Sequence, residues 1–579
     1  MKTIPKAIIL LIIFINVFAS VSEATQVSGD IWGIWDSSMN PIEVVGELRV
    51  PPDSSLFIGP GCYIEFQDYY ALTLDTSAAF IKAIGAEQDS IIFTCASGRI
   101  WNGIDIYFAD STCVFAYCVM EKAHAPNIED IIIGSGGAFH CEQSDLDIKN
   151  CRITNNRAQN AKGGGIYVDK GDIVLSNNII SGNYCAFGGA GIYFGIYVSS
   201  GSAVITDNVF EHDTASYSLG GQMSSAVECK NCSTLTFSRN IVRNNFSKQI
   251  AAVRLESSTA TIKNNIVEDN FGEYGRSGFW ITIEDSGIVA SNVILRNRFL
   301  YTTNLSGGGM FLVGSNIRVV NNIIAFNEIW SYGGGIDLQG TNISLTNNII
   351  AYNWTGDNAG GIYIDNSSYQ SPNILKNNII WGNVADNNPQ IYNVANKPLE
   401  VGYCDVEGGW TGVGNIDIDP LFRDTANCDF HLMSTFCGDS YDSPCIDVGD
   451  PTIQDYFLDC DWGLGFLPSD MGAYGGGDTT LQAIEEYLPL IPEELSVSQN
   501  YPNPFNSSTT IGYFLNSGSD IRIEIYNILG QRVEMFCENL QQSGRHDFIW
   551  NSAIYPSGVY FTKVSSKNSS KLIRMVLLK

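Results

Sequence analysis

Asn177-Asn178-Ile179-Ile180 returns as Asn321-Asn322-Ile323-Ile324, Asn347-Asn348-Ile349-Ile350 and Asn377-Asn378-Ile379-Ile380. Looser copies start at Asn150, Asp207, Arg239, Asn264 and Ser291. Successive starts lie about 28 residues apart, a period that marks solenoids. Each unit opens on a Gly-rich stretch that runs into a short strand, as in Gly163-Gly164-Gly165-Ile166-Tyr167-Val168, Gly307-Gly308-Gly309-Met310-Phe311-Leu312 and Gly333-Gly334-Gly335-Ile336-Asp337-Leu338. A second strand, the Asn pair and a closing Asn follow (Asn183, Asn327, Asn353, Asn383). Apolar residues alternate with period two and no stretch keeps a helical period. Gly and Asn supply the left-handed or bent backbone of corners. A leucine-rich repeat would need its Leu spacing, and a propeller blade about 40 residues. The pattern therefore predicts an all-β parallel β-helix with three short strands and three bends per coil.

The second Asn of each pair forms a column: Asn178, Asn208, Asn240, Asn265, Asn292, Asn322, Asn348 and Asn378. Coils stacked about 4.8 Å apart let such side chains hydrogen-bond above and below and satisfy amides at a bend. This resembles the asparagine ladder of right-handed parallel β-helix proteins. Cys151, Cys118 and Cys404 extend the column into weaker coils, and the repeats are expected over 111–410. Stacked Ile, Val and Leu inside the coils account for the apolar fraction of 45% without a membrane segment.

Lys2 and Lys6 precede the apolar run Ile8 to Phe18, and Ser22-Glu23-Ala24 offers a cleavage site. Residues 1–24 read as a secretory signal peptide, too short to span a bilayer. Residues 25–110 carry short strands separated by Gly, Pro and Asp, and Leu56-Phe57-Ile58-Gly59-Pro60-Gly61 resembles the opening coils of bacterial secreted β-helix proteins. That segment is expected to seal the exposed edge of the first coil. Residues 411–477 leave the repeat. Asp417-Ile418-Asp419-Pro420-Leu421-Phe422, Ser443-Pro444-Cys445-Ile446-Asp447 and Asp470-Met471-Gly472-Ala473-Tyr474-Gly475 resemble the terminal segment of bacterial surface β-helix proteins, implying a C-terminal cap. A linker over 478–494 follows. Residues 495–579 contain Asn500-Tyr501-Pro502-Asn503-Pro504-Phe505-Asn506, Ile521 to Gly530, Gly544-Arg545-His546, Trp550 and Ser557-Gly558-Val559-Tyr560-Phe561. In that order they resemble the type A sorting domain of the type IX secretion system. The resemblance implies a small Ig-like β-sandwich of about seven strands. It further implies a Gram-negative bacterium, export by the type IX machinery to the medium or outer cell surface, and removal of this domain.

The net charge is −29. The last 85 residues hold eight Lys/Arg against five Asp/Glu, so the acidic excess lies in the rest of the chain. Such a surface repels nucleic acid and anionic membranes. Among fifteen cysteines, Cys428, Cys437, Cys445 and Cys460 cluster in the expected cap, where an oxidising compartment permits disulfides. Cys229-Lys230-Asn231-Cys232 lacks a second pair or nearby His, against a zinc site.

The segments that would mark a polygalacturonase or a pectate lyase are missing, and the five His are scattered. Tyr167, between inward Ile166 and Val168, should point outward. Aligned coils put Phe139, Tyr193, Arg254, Trp280, Phe311, Asp337 and Tyr363 in the same outward column. Exposed aromatic rings in a line could stack on sugars, with Arg254 joining through cation–π contact. The other reading is a cross-strand ladder that only stabilises the sheet. The coils from Arg239 to Arg298 lose the Gly triplet and gather charge, and there Arg254 or Lys263 near Glu256 could serve a lyase. Asp417 and Asp419 are candidate Ca²⁺ ligands, without the loop of an EF-hand. The sequence thus supports a secreted or cell-surface β-helix that binds glycans or mediates adhesion without catalysis. A polysaccharide lyase or hydrolase of pectate-lyase-like fold, and a structural surface protein without a specific ligand, are the alternatives.

Overall fold

The computed structural model describes residues 24–476, 495–497, 500 and 505–579, except 75–77, 110, 126–135, 159–162, 186–195, 200, 216–223, 249–250, 274–276, 300–306, 366–370, 395–396, 454–459, 461–463, 465–467, 516–518, 528–530, 542–543 and 567–569. The expected signal peptide and linker thus fall almost wholly outside the described residues. The chain divides into two compact units at 481/482.

The first unit is a right-handed parallel β-solenoid of about twelve turns. One coil shows the plan. Ile166–Asp169 forms the first face, Ile173–Ser176 the second and Ile179–Ser181 the third. Tyr184–Cys185 adds a fourth. The sequence pattern predicts three strands per coil, and the structure has four. The two-residue fourth strands build a nine-stranded sheet of their own, because the closing Asn makes an additional bend.

Local chemistry dictates both bends. The first residue of each Asn pair takes left-handed backbone, as at Asn177, Asn264, Asn321, Asn347 and Asn377, a conformation Asn tolerates better than most residues. The second residue faces inward and is buried. Asn178 donates from its backbone N and from Nδ2 to Asn208 Oδ1, each at 2.9 Å, and from Nδ2 to Ile148 O. The same triad recurs at Asn240, Asn265, Asn292 and Asn348. Cysteines serve near both ends. Cys118 N donates to Cys151 Sγ at 3.3 Å, and Asn378 N to Cys404 Sγ at 3.4 Å. A second ladder runs through Asn156, Asn183, Asp213, Asn245, Asn270, Asn297, Asn327, Asn353 and Asn383. Between the ladders lie continuous apolar stacks, such as Ile153, Ile180, Phe210, Val242, Val267, Ile294, Ile324, Ile350 and Ile380, all buried.

Strands from Thr25 onward already pair in parallel: Thr25 opposes Ile42, Ile42 opposes Ile64, and Ile64 opposes Phe93. At the other end, Val406 N donates to Ile416 O and Cys404 N to Asn415 Oδ1, adding a last rung. The chain then folds back along the outside of the third face, rather than closing only the end. Phe422, Phe430, Leu432, Cys445 and Met471 pack on Leu295, Ile323, Ile349 and Ile379. The left-handed Asn of three coils hold this cover: Asn321 Nδ2 donates to Ala473 O, Asn347 Nδ2 to Asp470 O, and Asn377 Oδ1 accepts from Asp450 N. Cys437 and Cys460 form a disulfide there. Cys428 and Cys445 are free thiols: Cys428 Sγ accepts a hydrogen bond from Arg296 Nη1, and Cys445 Sγ donates one to Asp405 Oδ2.

The second unit holds two small antiparallel sheets, of three and four strands. Ile511, Tyr513, Trp550, Ile523, Ile525, Tyr560 and Met575, drawn from both, share one core.

Asp213 is the one carboxylate in the second ladder. It is fully buried, and its Oδ2 has no hydrogen-bond partner. On neighbouring rungs that position is an amide NH2 donating to a carbonyl, as in Asn183 Nδ2 to Ile153 O and Asn245 Nδ2 to Phe210 O. Burial pushes Asp213 well above the usual carboxylate range, opposed by its bonds from Asn183. A raised acid contributes fully below its unfolded pKa and costs stability as pH rises beyond it. Asp213→Asn should therefore stabilise the solenoid at pH 7, by about 1–3 kcal/mol for one satisfied buried group. In urea titrations this gain should shrink towards zero near pH 4, about the unfolded pKa of Asp.

Candidate functional site

The outward positions of the first face form one column fixed by strand register. Asp105, His140, Tyr167, Tyr197, Glu228, Arg254, Trp280, Phe311, Asp337, Tyr363 and Tyr392 oppose one another in turn. Tyr167, Arg254, Trp280, Phe311, Asp337 and Tyr363 stand where the sequence predicts. Phe139 does not: it opposes Ile166, points inward and packs on Phe115. His140 takes its place. Tyr193 lies outside the described residues, and Tyr197 holds the register of that coil. Glu228 fills the coil that resisted alignment.

Three rings that the sequence offers as sugar contacts are buried in this column. Tyr167 is 3% exposed, Trp280 7% and Phe311 2%. Their rings meet each other and their neighbours, with Tyr167 edge-on to His140 at 5.1 Å and Trp280 edge-on to Phe311 at 5.1 Å. Outward on a stacked sheet is not the same as open to a ligand, because successive side chains about 4.8 Å apart cover one another.

Two buried charge clusters lie on this column. In the first, His140 Nδ1 lies 3.2 Å from Tyr107 Oη and 3.6 Å from Asp105 Oδ1, and Nε2 lies 3.0 Å from Glu142 Oε1. Burial lifts Asp105 to about 6 against the pull of His140. The bond to His140 holds Glu142 below its usual value. In the second, Glu228 Oε1 sits 3.0 Å from Lys230 Nζ and 3.7 Å from Arg254. Arg254 also bonds Glu256 through Nε at 2.7 Å and lies over the Trp280 ring at 4.3 Å. Burial raises Glu228 to about 7, with Lys230 and Arg254 opposing. The structure thus unites Arg254 with Glu256. It leaves Lys263 apart, on the next face opposite Ser238 and Ala290.

The half-exposed aromatic surface is elsewhere. It gathers at the corner between the fourth and first faces of three successive coils. Tyr332, Tyr363 and Tyr392 stack, with centroids 5.0 and 5.7 Å apart. All three are partly exposed. Trp330 is 54% exposed and meets the half-exposed Trp354 edge-on at 5.4 Å. Only Tyr363 of this group is read from sequence as a contact residue. Trp354 belongs to a column that the sequence does contain: the residue after each closing Asn, which includes Arg157, Tyr184, Phe246, Phe271, Arg298, Glu328 and Trp354. Arg157 lies over Tyr184 at 4.5 Å and Phe246 stacks on Phe271.

Asp417 and Asp419 are exposed, and each accepts a backbone N–H, Asp417 from Gly408 and Asp419 from Leu421. Among the described residues no three His, Cys, Asp or Glu side chains converge so as to hold a metal ion.

Residues 89–254 and 225–404 match the profile of the right handed beta helix region. The chain belongs to the right-handed β-helix family. Residues 499–578 of this β-helix protein match the secretion system C-terminal sorting domain. The protein is therefore a secreted or cell-surface protein, exported through the type IX machinery. Among the described residues no helix is long and apolar enough to cross a membrane. No curated protein matches the chain significantly. Among solved structures it is similar to the periplasmic alginate epimerase AlgG, at 11% identity and a TM-score of 0.24 over 64% of this chain and 77% of that one. It is also similar to the enzymatically active domain of Bacteriophage CBA120 tailspike protein 4, at 9% identity and a TM-score of 0.16 over 90% of this chain and 64% of that one. Likeness this low bears on neither substrate nor chemistry.

Lys230 and Arg254 together offset the buried Glu228, so Lys230→Ala with Arg254→Ala should cost about 3–5 kcal/mol at pH 8 in urea unfolding. The deficit should shrink as pH falls towards 5, because protonating Glu228 removes the charge left unpaired. Adding Glu228→Gln should restore part of the loss.

Proposed function

We propose that this β-helix protein is a non-catalytic extracellular glycan-binding or adhesion protein whose contact surface is the aromatic corner at Trp330, Tyr332, Trp354, Tyr363 and Tyr392. The observation that carries this reading is the partial exposure of five aromatic side chains on neighbouring coils, set on a rigid scaffold. Aromatic rings give carbohydrates an apolar face to stack on and phenol hydroxyls to bond. In this reading residues 1–24 are a signal peptide, 25–410 the coils, 411–477 their cover and 478–494 a linker. Residues 495–579 are an Ig-like sorting domain removed after export.

A second reading, a polysaccharide lyase or hydrolase, draws on Glu228 beside Arg254. A carboxyl near 7 next to a cation is a common arrangement in acid–base catalysis. Incubating the full chain with uronate-containing and neutral polysaccharides separates the two. New unsaturated or reducing ends would favour the second reading, and their absence alongside binding the first.

Trp330→Ala and Tyr363→Ala should each weaken polysaccharide binding by about tenfold, or 1.4 kcal/mol, in affinity electrophoresis. Trp280→Ala should leave binding unchanged once its folding is confirmed. Equal binding by all three variants would overturn the corner as the contact surface.

A further inference from the structure

We propose that the aromatic corner takes a neutral polysaccharide, laid parallel to the solenoid axis with one sugar unit to each coil. The inference rests on the glycan-binding reading above and adds the ligand's class and direction. Three observations carry it.

The first is spacing. Tyr332, Tyr363 and Tyr392 come from consecutive coils, and their centroids repeat at 5.0 and 5.7 Å. This is about the length of one pyranose unit in an extended chain, and it follows the interval of about 4.8 Å between strands. Tyr363 and Tyr392 are register partners, and Tyr332 joins their stack from the turn before the first face of the preceding coil, so a ligand running along the axis meets a tyrosine at each step, whereas one running across the coils meets only one.

The second is which parts of the rings remain free to act. Tyr332 and Tyr363 lie nearly parallel, at 25°, and Tyr363 and Tyr392 at 41°, so their faces are largely occupied by one another. What they can offer a ligand is edges and phenol oxygens, which suit sugar hydroxyls. Trp330 is different: more than half exposed, and edge-on to Trp354 at 84°, it can offer a face to one sugar ring. The corner thus combines one stacking platform with a row of hydrogen-bonding groups.

The third is charge. Carboxylates surround the corner: Asp337 opposes Tyr363, Asp365 follows it by two residues, and Asp357 lies beside Tyr332. Asp386, on the next coil, is exposed. A uronate or sulfated chain would bring its charges against this set of carboxylates within a chain of net charge −29, whereas a neutral chain meets hydrogen-bond acceptors.

The test uses the full chain in native affinity electrophoresis. The gels contain hydroxyethyl cellulose, mannan, laminarin, alginate or polygalacturonate, at 20 and 500 mM salt. We expect retardation by at least one neutral polymer, changing less than about twofold between the two salts because no ion pair is screened. We also expect retention by alginate and polygalacturonate to be at least about tenfold weaker, a difference of 1.4 kcal/mol. Asp357→Asn with Asp365→Asn should narrow that gap without abolishing neutral binding. Retention by an anionic polymer that weakens with salt and depends on Trp330 would overturn the ligand class while leaving the corner as the site. Retention unaffected by Trp330→Ala would overturn the corner itself, and retention by none of the polymers would overturn glycan binding altogether.

Discussion

Two bends of the solenoid's coils bury a backbone N–H between neighbouring coils, and a side-chain acceptor from the next coil, most often an Asn carbonyl, satisfies it. The rest of the structure depends on that bond. A buried N–H without a partner costs about 1–3 kcal/mol, and the two ladders present such groups on coil after coil. The requirement fixes Asn at two positions per coil. It also fixes register, because a rung displaced by one residue would place an apolar side chain against the amide. Where the ladder departs from Asn, the substitute is informative. The soft acceptors Cys151 and Cys404 lie near its ends. Asp213, inside it, has an oxygen where an NH2 should donate.

Register then determines which side chains share a surface. On the first face it collects acids, bases and rings into one column and buries most of them, His140, Tyr167, Glu228, Arg254, Trp280, Phe311 and Asp337 among them. Ion pairs and edge-on rings there hold adjacent coils together, and the perturbed carboxyls of Asp105 and Glu228 follow from that burial. On the fourth face and its corner the same stacking leaves Trp330, Trp354 and the three tyrosines partly exposed. The cover built around Phe422, Phe430, Cys445 and Met471 sits on the third face, held by Asn side chains whose left-handed backbone turns them outward.

The period, the ladder and the parallel fold were legible because they are dictated by short-range chemistry repeated many times. The surroundings of each outward side chain were less legible, for reasons particular residues make plain. In the coil at 136–142, Gly136-Gly137-Ala138 replaces the Gly triplet, and aligning it one residue early exchanges His140 for Phe139 and one side of the strand for the other. The chain carries Gly-Ile-Tyr twice, at 191–193 and 195–197, and the second copy holds the register. Outward direction was readable at Tyr167, Trp280 and Phe311. Burial was not, since it depends on what the adjacent coils place beside each ring. Tyr332 precedes a Gly triplet at a turn, where period-two reasoning says nothing. Trp354 was within reach, one residue after the closing Asn353.

Hydroxyl-radical footprinting of the full chain, read by mass spectrometry at single side chains, tests most directly which aromatic residues face solvent. The account predicts rapid oxidation of Trp330, intermediate rates at Trp354, Tyr332, Tyr363 and Tyr392, and near silence at Tyr167, Trp280 and Phe311. Rapid oxidation of Tyr167 and Trp280 with protection of Trp330 would contradict it, and would return the contact surface to the first face.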